Sequence, residues 1–376
     1  MMTLTLNPDA FLANYWQQKP LFLTKGIRAF EDPLQADELA GMALESCIQS
    51  RIIRRQDEQW ETQHGPFTED YFSTLGDSHW QLLVHATNHW VPECQDIVDL
   101  FRFLPDWRID DLMISYAAPE GGVGAHIDQY DVFILQGQGR RRWRVGHRGN
   151  YQAAAGNGLD LIESFEPCID VVMEPGDLLY IPAGCPHYGQ ALEPAISYSL
   201  GLRTPSQQEL LSHLSAHLIN HEQGQTHYVS TKNDDTNVGV ISTATHTGLV
   251  ELMQQIPDSI QRDVLGRLLS QSGYALNLEP MPAAEQILDL RDLPPDTHLE
   301  RIGGLKIICH EHDDLPRFFV DGQCYPVDDK AQSMCFLLAN LKTYPPAVLE
   351  EIATYPQLQQ QVLALINQGY LVINTD

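Results

Sequence analysis

A His-x-Asp pair stands directly beside an apolar, strand-like run in residues 124–139, GVGAHIDQYDVFILQG. Side chains alternate between the two faces of a strand, so a strand through this segment would place His126, Asp128 and Tyr130 on one face. A charge that faces a protein core is costly unless it is paired or bound to a metal. The segment therefore predicts a metal ion that offsets the burial of Asp128.

A turn, a short strand and a second turn lead to a third candidate ligand, His187, in EPGDLLYIPAGCPH, residues 174–187. Strands that are distant in sequence can face each other across the interior of a barrel. Two imidazoles and one carboxylate on such walls can occupy one face of a metal octahedron. That set of ligands is typical of non-haem iron(II) oxygenases, which keep the remaining coordination positions open. We therefore predict that His126, Asp128 and His187 bind iron(II).

Residues 110–203 contain the other strand-like segments, which are bounded by glycine and proline turns: DLMISYA, YDVFILQG, RRRWRVG, CIDVVMEPGDLLYIPAG and AISYSLGL. Many short strands with such turns favour a sandwich or a barrel. The regions before and after these strands contain predicted helices. Residues 1 to about 100 mix loops with predicted helices such as 35–50, and a serine-capped helical pattern begins at 206. Residues 278–376 begin with a proline-rich stretch and continue with the strand and helix succession of a winged-helix module.

The charge of the chain excludes several classes of partner. Its 376 residues carry 50 acidic and 23 basic side chains, a net charge of −27 that repels nucleic acid and anionic membranes and attracts a basic partner. Because an acidic surface also serves solubility, the charge alone names no partner. Residues 278–376 alone carry 15 acidic and 6 basic side chains, the wrong sign for a DNA-binding winged helix. We find no run of roughly 20 apolar residues that would span a membrane.

The seven cysteines are scattered and include no C-x-x-C pair, so the sequence indicates neither a disulfide framework nor a zinc ribbon. The first residues, MMTLTLNPDAFLANYW, lack the basic and apolar regions of a signal peptide. We expect a reducing, cytoplasmic location.

The segments HID and PGDLLYIPAGCPH resemble the cupin-fold JmjC oxygenases. Residues 110–146, DDLMISYAAPEGGVGAHIDQYDVFILQGQGRRRWRVG, resemble the bacterial ribosomal-oxygenase branch of that family nearly residue for residue. Residues 14–23, NYWQQKPLFL, resemble the segment near the start of that branch. The resemblance covers about residues 1–205 and, more loosely, the rest. It implies an α+β protein with three parts: a double-stranded β-helix (cupin/JmjC) catalytic barrel with N-terminal helical elements (1–205), a helical dimerisation region (206–277) and an acidic winged-helix-like domain (278–376).

The family uses 2-oxoglutarate and O2 as cosubstrates, and the distal carboxylate of 2-oxoglutarate needs a cation on the barrel wall. The segment GRRRWRV offers four arginines. Strand alternation places Arg141 with Trp143 on one face and Arg140, Arg142 and Arg144 on the other. Because the tryptophan favours the interior, we predict that Arg141 points inward and grips the carboxylate with two parallel hydrogen bonds.

Two serines are candidate hydroxyl partners in the same cavity. Ser115, in MISYA, matches the family pattern for a partner of the 2-oxoglutarate carboxylate. Ser199, in SYSLG, is a second candidate near the metal, with a simple packing role as the alternative. The resemblance implies no catalytic residues beyond the metal and cosubstrate ligands, because the reaction needs no side chain as nucleophile or general base.

The resemblance implies hydroxylation of an arginine in a large-subunit ribosomal protein, the sixteenth of that subunit. Strand alternation places Asp111 on the same face as Ser115, where it could pair with a guanidinium, and Asp110 lies beside it. Tyr130 could pack against the aliphatic stem of a long side chain. Alternatively, the two aspartates only lead into a strand. Two other functions stay open: a related oxygenase that hydroxylates histidine or asparagine or demethylates lysine, and a non-catalytic metal-binding cupin, which would have no need for Arg141.

Overall fold

From Thr3 to Leu202 the described chain forms antiparallel strands that are joined by turns, loops and short helices. The structure is a computed structural model that describes residues 2–56, 59–154, 159–230 and 239–375. The strands of this part are β1 (Thr3–Leu4), β2 (Leu21–Leu23), β3 (Ile27–Arg28), β4 (Ser50–Gln56), β5 (Gln59–His64), β6 (Trp80–Val84), β7 (Ile109–Ala117), β8 (His126–Ile127), β9 (Asp131–Gln136), β10 (Arg141–Gly146), β11 (Pro167–Met173), β12 (Leu178–Ile181), β13 (Pro186–Ala191) and β14 (Ala195–Leu202).

Two antiparallel sheets form the barrel. The larger sheet has the strand order β2-β12-β9-β14-β7-β6-β4-β5, and the smaller has the order β11-β10-β13-β8. Short helices flank them: α1 (Pro8–Asn14), α2 (Ala36–Met42), α3 (Glu69–Phe72) and α4 (Pro92–Asp99). The alternation of chain segments between the two sheets brings β7 and β9 close to β8, β10 and β13 across a shared interior.

Strand β9, DVFILQ, is buried along its whole length. On one face Val132 and Ile134 pack with Trp143, and on the other Phe133 and Leu135 join the main core of the domain. A strand that is covered on both faces needs apolar side chains at every position rather than at alternate ones. This requirement explains the continuous apolar run.

The structure corrects the prediction of a single strand through residues 124–139. Strand β8 ends at Ile127, residues 128–130 bend, and β9 begins at Asp131. Asp128 and Tyr130 therefore reach their positions from a bend and not through strand alternation. Another correction concerns the helix predicted over 35–50, which ends at Met42. The pairing of β4 with β6 from Ser50 onward overrides its helical pattern.

Beyond the barrel lie helices α5 (Gln207–Asn220), α6 (Thr243–Gln254) and α7 (Asp258–Ser270). The C-terminal part has its own apolar core. It contains β15 (Thr297–Arg301), β16 (Ile307–Ile308), β17 (Arg317–Val320), β18 (Gln323–Pro326), α8 (Gln332–Asn340), β19 (Thr343–Tyr344), α9 (Pro346–Ile352), α10 (Pro356–Asn367) and β20 (Leu371–Thr375). In the described part of the chain, every helix is too short or too polar to cross a membrane.

Candidate metal centre and binding cavity

His126, Asp128 and His187 meet at the wall of a cavity inside the barrel, with one ligand atom of each within 4.8 Å of the others. Asp128 Oδ2 lies 3.5 Å from His187 Nε2 and 3.8 Å from His126 Nε2. The two imidazole centroids are 4.2 Å apart. Within residues 2–56, 59–154, 159–230 and 239–375, this is the only such group of histidine, cysteine or carboxylate side chains. The structure thus brings the three predicted ligands together.

Backbone carbonyls hold both imidazoles so that Nε2 of each ring faces the cluster. His126 Nδ1 lies 3.1 Å from the Gly124 carbonyl, and His187 Nδ1 lies 3.1 Å from the Cys185 carbonyl. Since a carbonyl only accepts, we assign the proton to Nδ1, which leaves the Nε2 lone pairs directed at Asp128. Burial and the neighbouring His126 lower the pKa of His187, so its ring stays neutral. Two neutral imidazoles and a carboxylate are a donor set that fits divalent iron.

Strand pairing and a turn explain how Asp128 and His187, 59 positions apart in the sequence, come together. Strands β13 and β8 pair with His187 directly opposite His126. The turn before β13 is tied to the bend after β8, because the Gly184 amide donates to the Asp128 carbonyl over 2.8 Å. Gly184 has a φ of +80°, a conformation that other residues rarely adopt, so glycine is required at this turn.

Arg141 points into the cavity and is only 2% exposed. Its guanidinium donates to the side chains of Gln81 and Ser115 and to the Gly189 carbonyl, and its Nε has no partner among the described residues. No carboxylate in the described part of the chain pairs with it. Burial lowers the pKa of Arg141 to about 10, which still leaves it charged at neutral pH. A buried cation without an anion is a site for an anionic ligand.

The residues next to Arg141 on and beside β10 lie on the faces of the strand that alternation predicts. Trp143 lies inside with Arg141, whose guanidinium is 4.9 Å from its ring. On the outer face, Arg140 pairs with Glu193 and Arg142 pairs with Asp170, 3.1 and 2.6 Å apart.

The cavity has a volume of about 340 Å³ and is lined by alternate residues of β7, among them Asp111, Met113 and Ser115. Ser115 Oγ lies 3.4 Å from Arg141 Nη1, at the far limit of a hydrogen bond. Ser199 also lines the cavity, on the neighbouring strand β14 and opposite Met113. The structure therefore places both predicted serines in the cavity, with Ser115 beside the guanidinium, and their binding roles remain predictions.

The two candidate substrate aspartates both reach the cavity because a β-bulge interrupts strand alternation. The register between β7 and β14 shifts between Leu200 and Leu202, so Gly201 lies beside both Asp110 and Asp111. Asp111 is buried, and burial raises the pKa of Asp110. Tyr130, 39% exposed, lines the same cavity near Gly201.

Sequence reasoning missed five polar residues of the cavity wall: Arg51, Gln81, His85, Asp160 and Tyr274. Gln81 and His85 lie on or next to β6, and Arg51 lies on β4 with its Nε unpartnered among the described residues. A polar residue at an inward position of an apolar strand could have drawn attention to Gln81 in WQLLV. Tyr274 enters from beyond α7 and carries no comparable signal.

The comparisons with known proteins agree with this geometry. The model of the JmjC domain matches residues 96–210. The chain is 38% identical over 377 residues to the ribosomal protein uL16 3-hydroxylase of Escherichia coli, covering 98% of each protein. It is 35% identical to a probable ribosomal oxygenase of Haemophilus influenzae over 56% of this chain and 53% of that one.

Among solved structures, the chain is similar to YcfD, a ribosomal oxygenase from Escherichia coli, in complex with cobalt and 2-oxoglutarate. The TM-score is 0.89 at 36% identity, with 100% of each chain covered. The complex of YcfD with cobalt and succinic acid gives a TM-score of 0.88 at the same identity and coverage. The predicted cupin-type JmjC barrel is thereby confirmed.

We expect Asp128→Ala to weaken divalent metal binding by about 10- to 100-fold or more, because the remaining two imidazoles supply neither charge nor a third donor. Isothermal titration of the metal-free protein with cobalt(II) measures this loss. Asp170→Asn is the matched control, since it removes a surface carboxylate that is paired with Arg142. Equal affinities for the two variants would contradict the ligand assignment.

We expect Arg141→Met to lower 2-oxoglutarate affinity by about 100-fold or more, since a charged, two-point contact is lost. The unfolding free energy of the ligand-free protein should fall by no more than about 1 kcal/mol, because removal of an unpaired buried cation offsets the lost hydrogen bonds. Calorimetric titration and denaturant unfolding give the two quantities. Arg142→Met, on the outer face, should change neither by much, and a large loss of affinity there would contradict the alternation argument.

Proposed function

Because the chain belongs to the JmjC-domain ribosomal oxygenases, we propose that it is an iron(II)- and 2-oxoglutarate-dependent dioxygenase that hydroxylates an arginine of ribosomal protein uL16. One observation carries this proposal furthest. A buried guanidinium without an anionic partner in the described chain, that of Arg141, opens on the same cavity as the three-ligand cluster. A cupin that only stores or binds a metal would have no need for this cation.

Each group of the site has a distinct part in this function. His126, Asp128 and His187 hold iron(II), and Arg141 with Ser115 holds the distal carboxylate of 2-oxoglutarate. When iron(II) is bound, it supplies the chemistry that couples oxidative decarboxylation of 2-oxoglutarate to hydroxylation of a substrate C–H bond. The protein orients the reactants in a partly closed cavity and needs no nucleophile or general base.

The other end of the cavity fits a long cationic side chain. Asp111 and Asp110 provide negative charge there, and the ring of Tyr130 provides an apolar surface for an aliphatic stem. We assign the substrate guanidinium to Asp111, which is the more deeply buried aspartate. The net charge of −27 steers a basic ribosomal protein toward the enzyme at long range.

Helices α5 and α6 support the proposal that the protein is a homodimer. None of their residues is buried, although they carry exposed apolar side chains such as Leu211, Ile219, Leu249 and Met253. Helices of this length are marginally stable in water unless an apolar face is covered. A second copy of the chain would cover both. We accordingly assign residues 206–277 to dimerisation, 1–205 to catalysis and the acidic, winged-helix-like 278–376 to protein contact or structure rather than DNA binding. We place the enzyme in the cytoplasm.

We expect one oxygen atom to be added to a single arginine of uL16 when the enzyme acts on under-modified ribosomes with iron(II), 2-oxoglutarate and O2. Tandem mass spectrometry of the ribosomal proteins locates the change. Asp128→Ala should abolish it, and the surface variant Asp170→Asn should preserve it. Hydroxylation of histidine or asparagine, or loss of a lysine methyl group, would support the alternative oxygenase activities, and no turnover at all would support a non-catalytic cupin.

We expect the double variant Ile219→Glu and Met253→Glu to raise the dimer dissociation constant by about 100-fold or more, since two large apolar side chains lose their burial. Light scattering after gel filtration over a range of concentrations measures this shift. Leu288→Glu is the control, because Leu288 is 81% exposed but lies outside the helices. A wild-type monomer, or a double variant that dimerises like the wild type, would contradict the proposal.

A further inference from the structure

The carboxylate of Asp111 is held from one side only. Its Oδ2 accepts the Ala86 amide over 3.0 Å and lies 3.0 Å from His85 Nδ1. Its Oδ1 lies beside Gly201, where a Cβ would be 3.5 Å away. Within the described part of the chain, each hydrogen bond to Asp111 ends at Oδ2. Oδ2 therefore already accepts two hydrogen bonds, and Oδ1 remains to accept one from a ligand.

The tautomer of His85 follows from its neighbours. An ionised carboxylate only accepts hydrogen bonds, so His85 must carry its proton on Nδ1 to bond Asp111. The Tyr274 hydroxyl lies 3.0 Å from the same Nδ1. With a proton on Nδ1, the phenol oxygen can share that donor but cannot donate to it. The arrangement orients His85 toward both groups.

The backbone supports the same geometry. Ala86 has φ 52° and ψ 37°, the left-handed conformation that a residue with a side chain rarely adopts. Such a conformation is unfavourable and persists where surrounding structure enforces it, often at functional sites. Here it aims the Ala86 amide at Asp111 Oδ2 and starts the turn Thr87–His89.

Tyr274 is fixed between two histidines of that turn region. Its ring stacks on His85, with centroids 5.3 Å apart and planes 13° apart, and meets His89 edge-on at 6.5 Å. His89 Nδ1 also donates to the carbonyl of Ala275 over 2.9 Å. Burial, with Asp111 and Asp110 nearby, raises the pKa of Tyr274, so its hydroxyl stays neutral. The segment after α7 therefore forms part of the cavity wall.

We propose that His85 and Tyr274 are positioning residues that hold Asp111 with Oδ1 directed at the guanidinium of the substrate. This inference rests on the proposed function, because it requires a substrate arginine. His85 fixes the Oδ2 edge through its Nδ1–H, and Tyr274 fixes the plane of His85 by stacking. Neither residue touches the metal ligands or the Arg141 guanidinium, so both act on recognition of the substrate and not on 2-oxoglutarate.

The test compares His85→Phe, which keeps a ring to stack on Tyr274 but removes the donor, with Tyr274→Phe, which keeps the ring and removes the hydroxyl. Tyr355→Phe is the matched control, because this half-buried tyrosine packs against the C-terminal core. Binding to the cobalt(II) and 2-oxoglutarate complex is titrated with a uL16 peptide, with the same peptide carrying lysine for arginine, and with N-acetyl-arginine amide and N-acetyl-lysine amide.

The wild type should prefer each arginine ligand over its lysine counterpart. His85→Phe should reduce that preference by about tenfold or more, the size of one hydrogen bond to a charged group. Tyr274→Leu, which removes the stacked ring, should reduce it by a smaller factor, and Tyr274→Phe, which keeps the ring, should leave it unchanged. The 2-oxoglutarate affinity should stay the same in all variants. In the Asp111→Asn background, His85→Phe should have no further effect, because the two residues act as one unit.

The inference would be overturned by an unchanged preference in His85→Phe, by an equal loss for arginine and lysine ligands, or by additive effects with Asp111→Asn. A wild type without arginine preference for peptide and amide alike would also overturn it. If instead the amides show the His85-dependent preference but the uL16 peptide is never hydroxylated, the inference stands and the proposed ribosomal substrate is wrong.

Discussion

Burying charge inside an apolar barrel is the constraint on which the rest of the structure depends. Arg141 is almost fully enclosed without a carboxylate partner in the described chain, and Asp128 faces two imidazoles. Neither arrangement is favourable by itself, because the chain does not neutralise these charges. A metal ion and an anionic cosubstrate would neutralise both. The free protein therefore carries an electrostatic cost that ligand binding relieves, and the doubly covered strand β9 beside them supplies compensating apolar burial.

Strand alternation was enough to predict much of this site. It placed Arg141 and Trp143 on the inward face of β10, and it placed Asp111 and Ser115 on one face of β7, because pairing is regular over most of each strand. It failed where regular pairing stops. Asp128 lies in a bend, and a bulge opposite Gly201 turns Asp110 toward the cavity as well. Bends and bulges depend on the partner strand, which a pattern within one segment does not encode.

The pair of His85 and Tyr274 could not be predicted at all. The two residues are 189 positions apart, and Tyr274 lies in SQSGYALN, a polar segment without periodicity. Their contact depends on how α7 and the C-terminal part dock against the barrel, which is a tertiary property. The shortened helix α2 illustrates the same limit, because long-range strand pairing overrides a favourable local pattern.

Docking of the C-terminal part has a consequence for the cavity. His89 holds the Ala275 carbonyl, and Gly304 approaches the His89 ring so closely that a Cβ would lie 2.0 Å from it. Arg301 reaches back to Asp106 of the barrel over 3.3 Å. These contacts fix the segment that carries Tyr274. The proposed metal and cosubstrate ligands lie wholly within the barrel, whereas the proposed substrate end of the cavity is completed by Tyr274, from the chain beyond it. Cosubstrate binding and substrate recognition thus depend on different parts of the same fold.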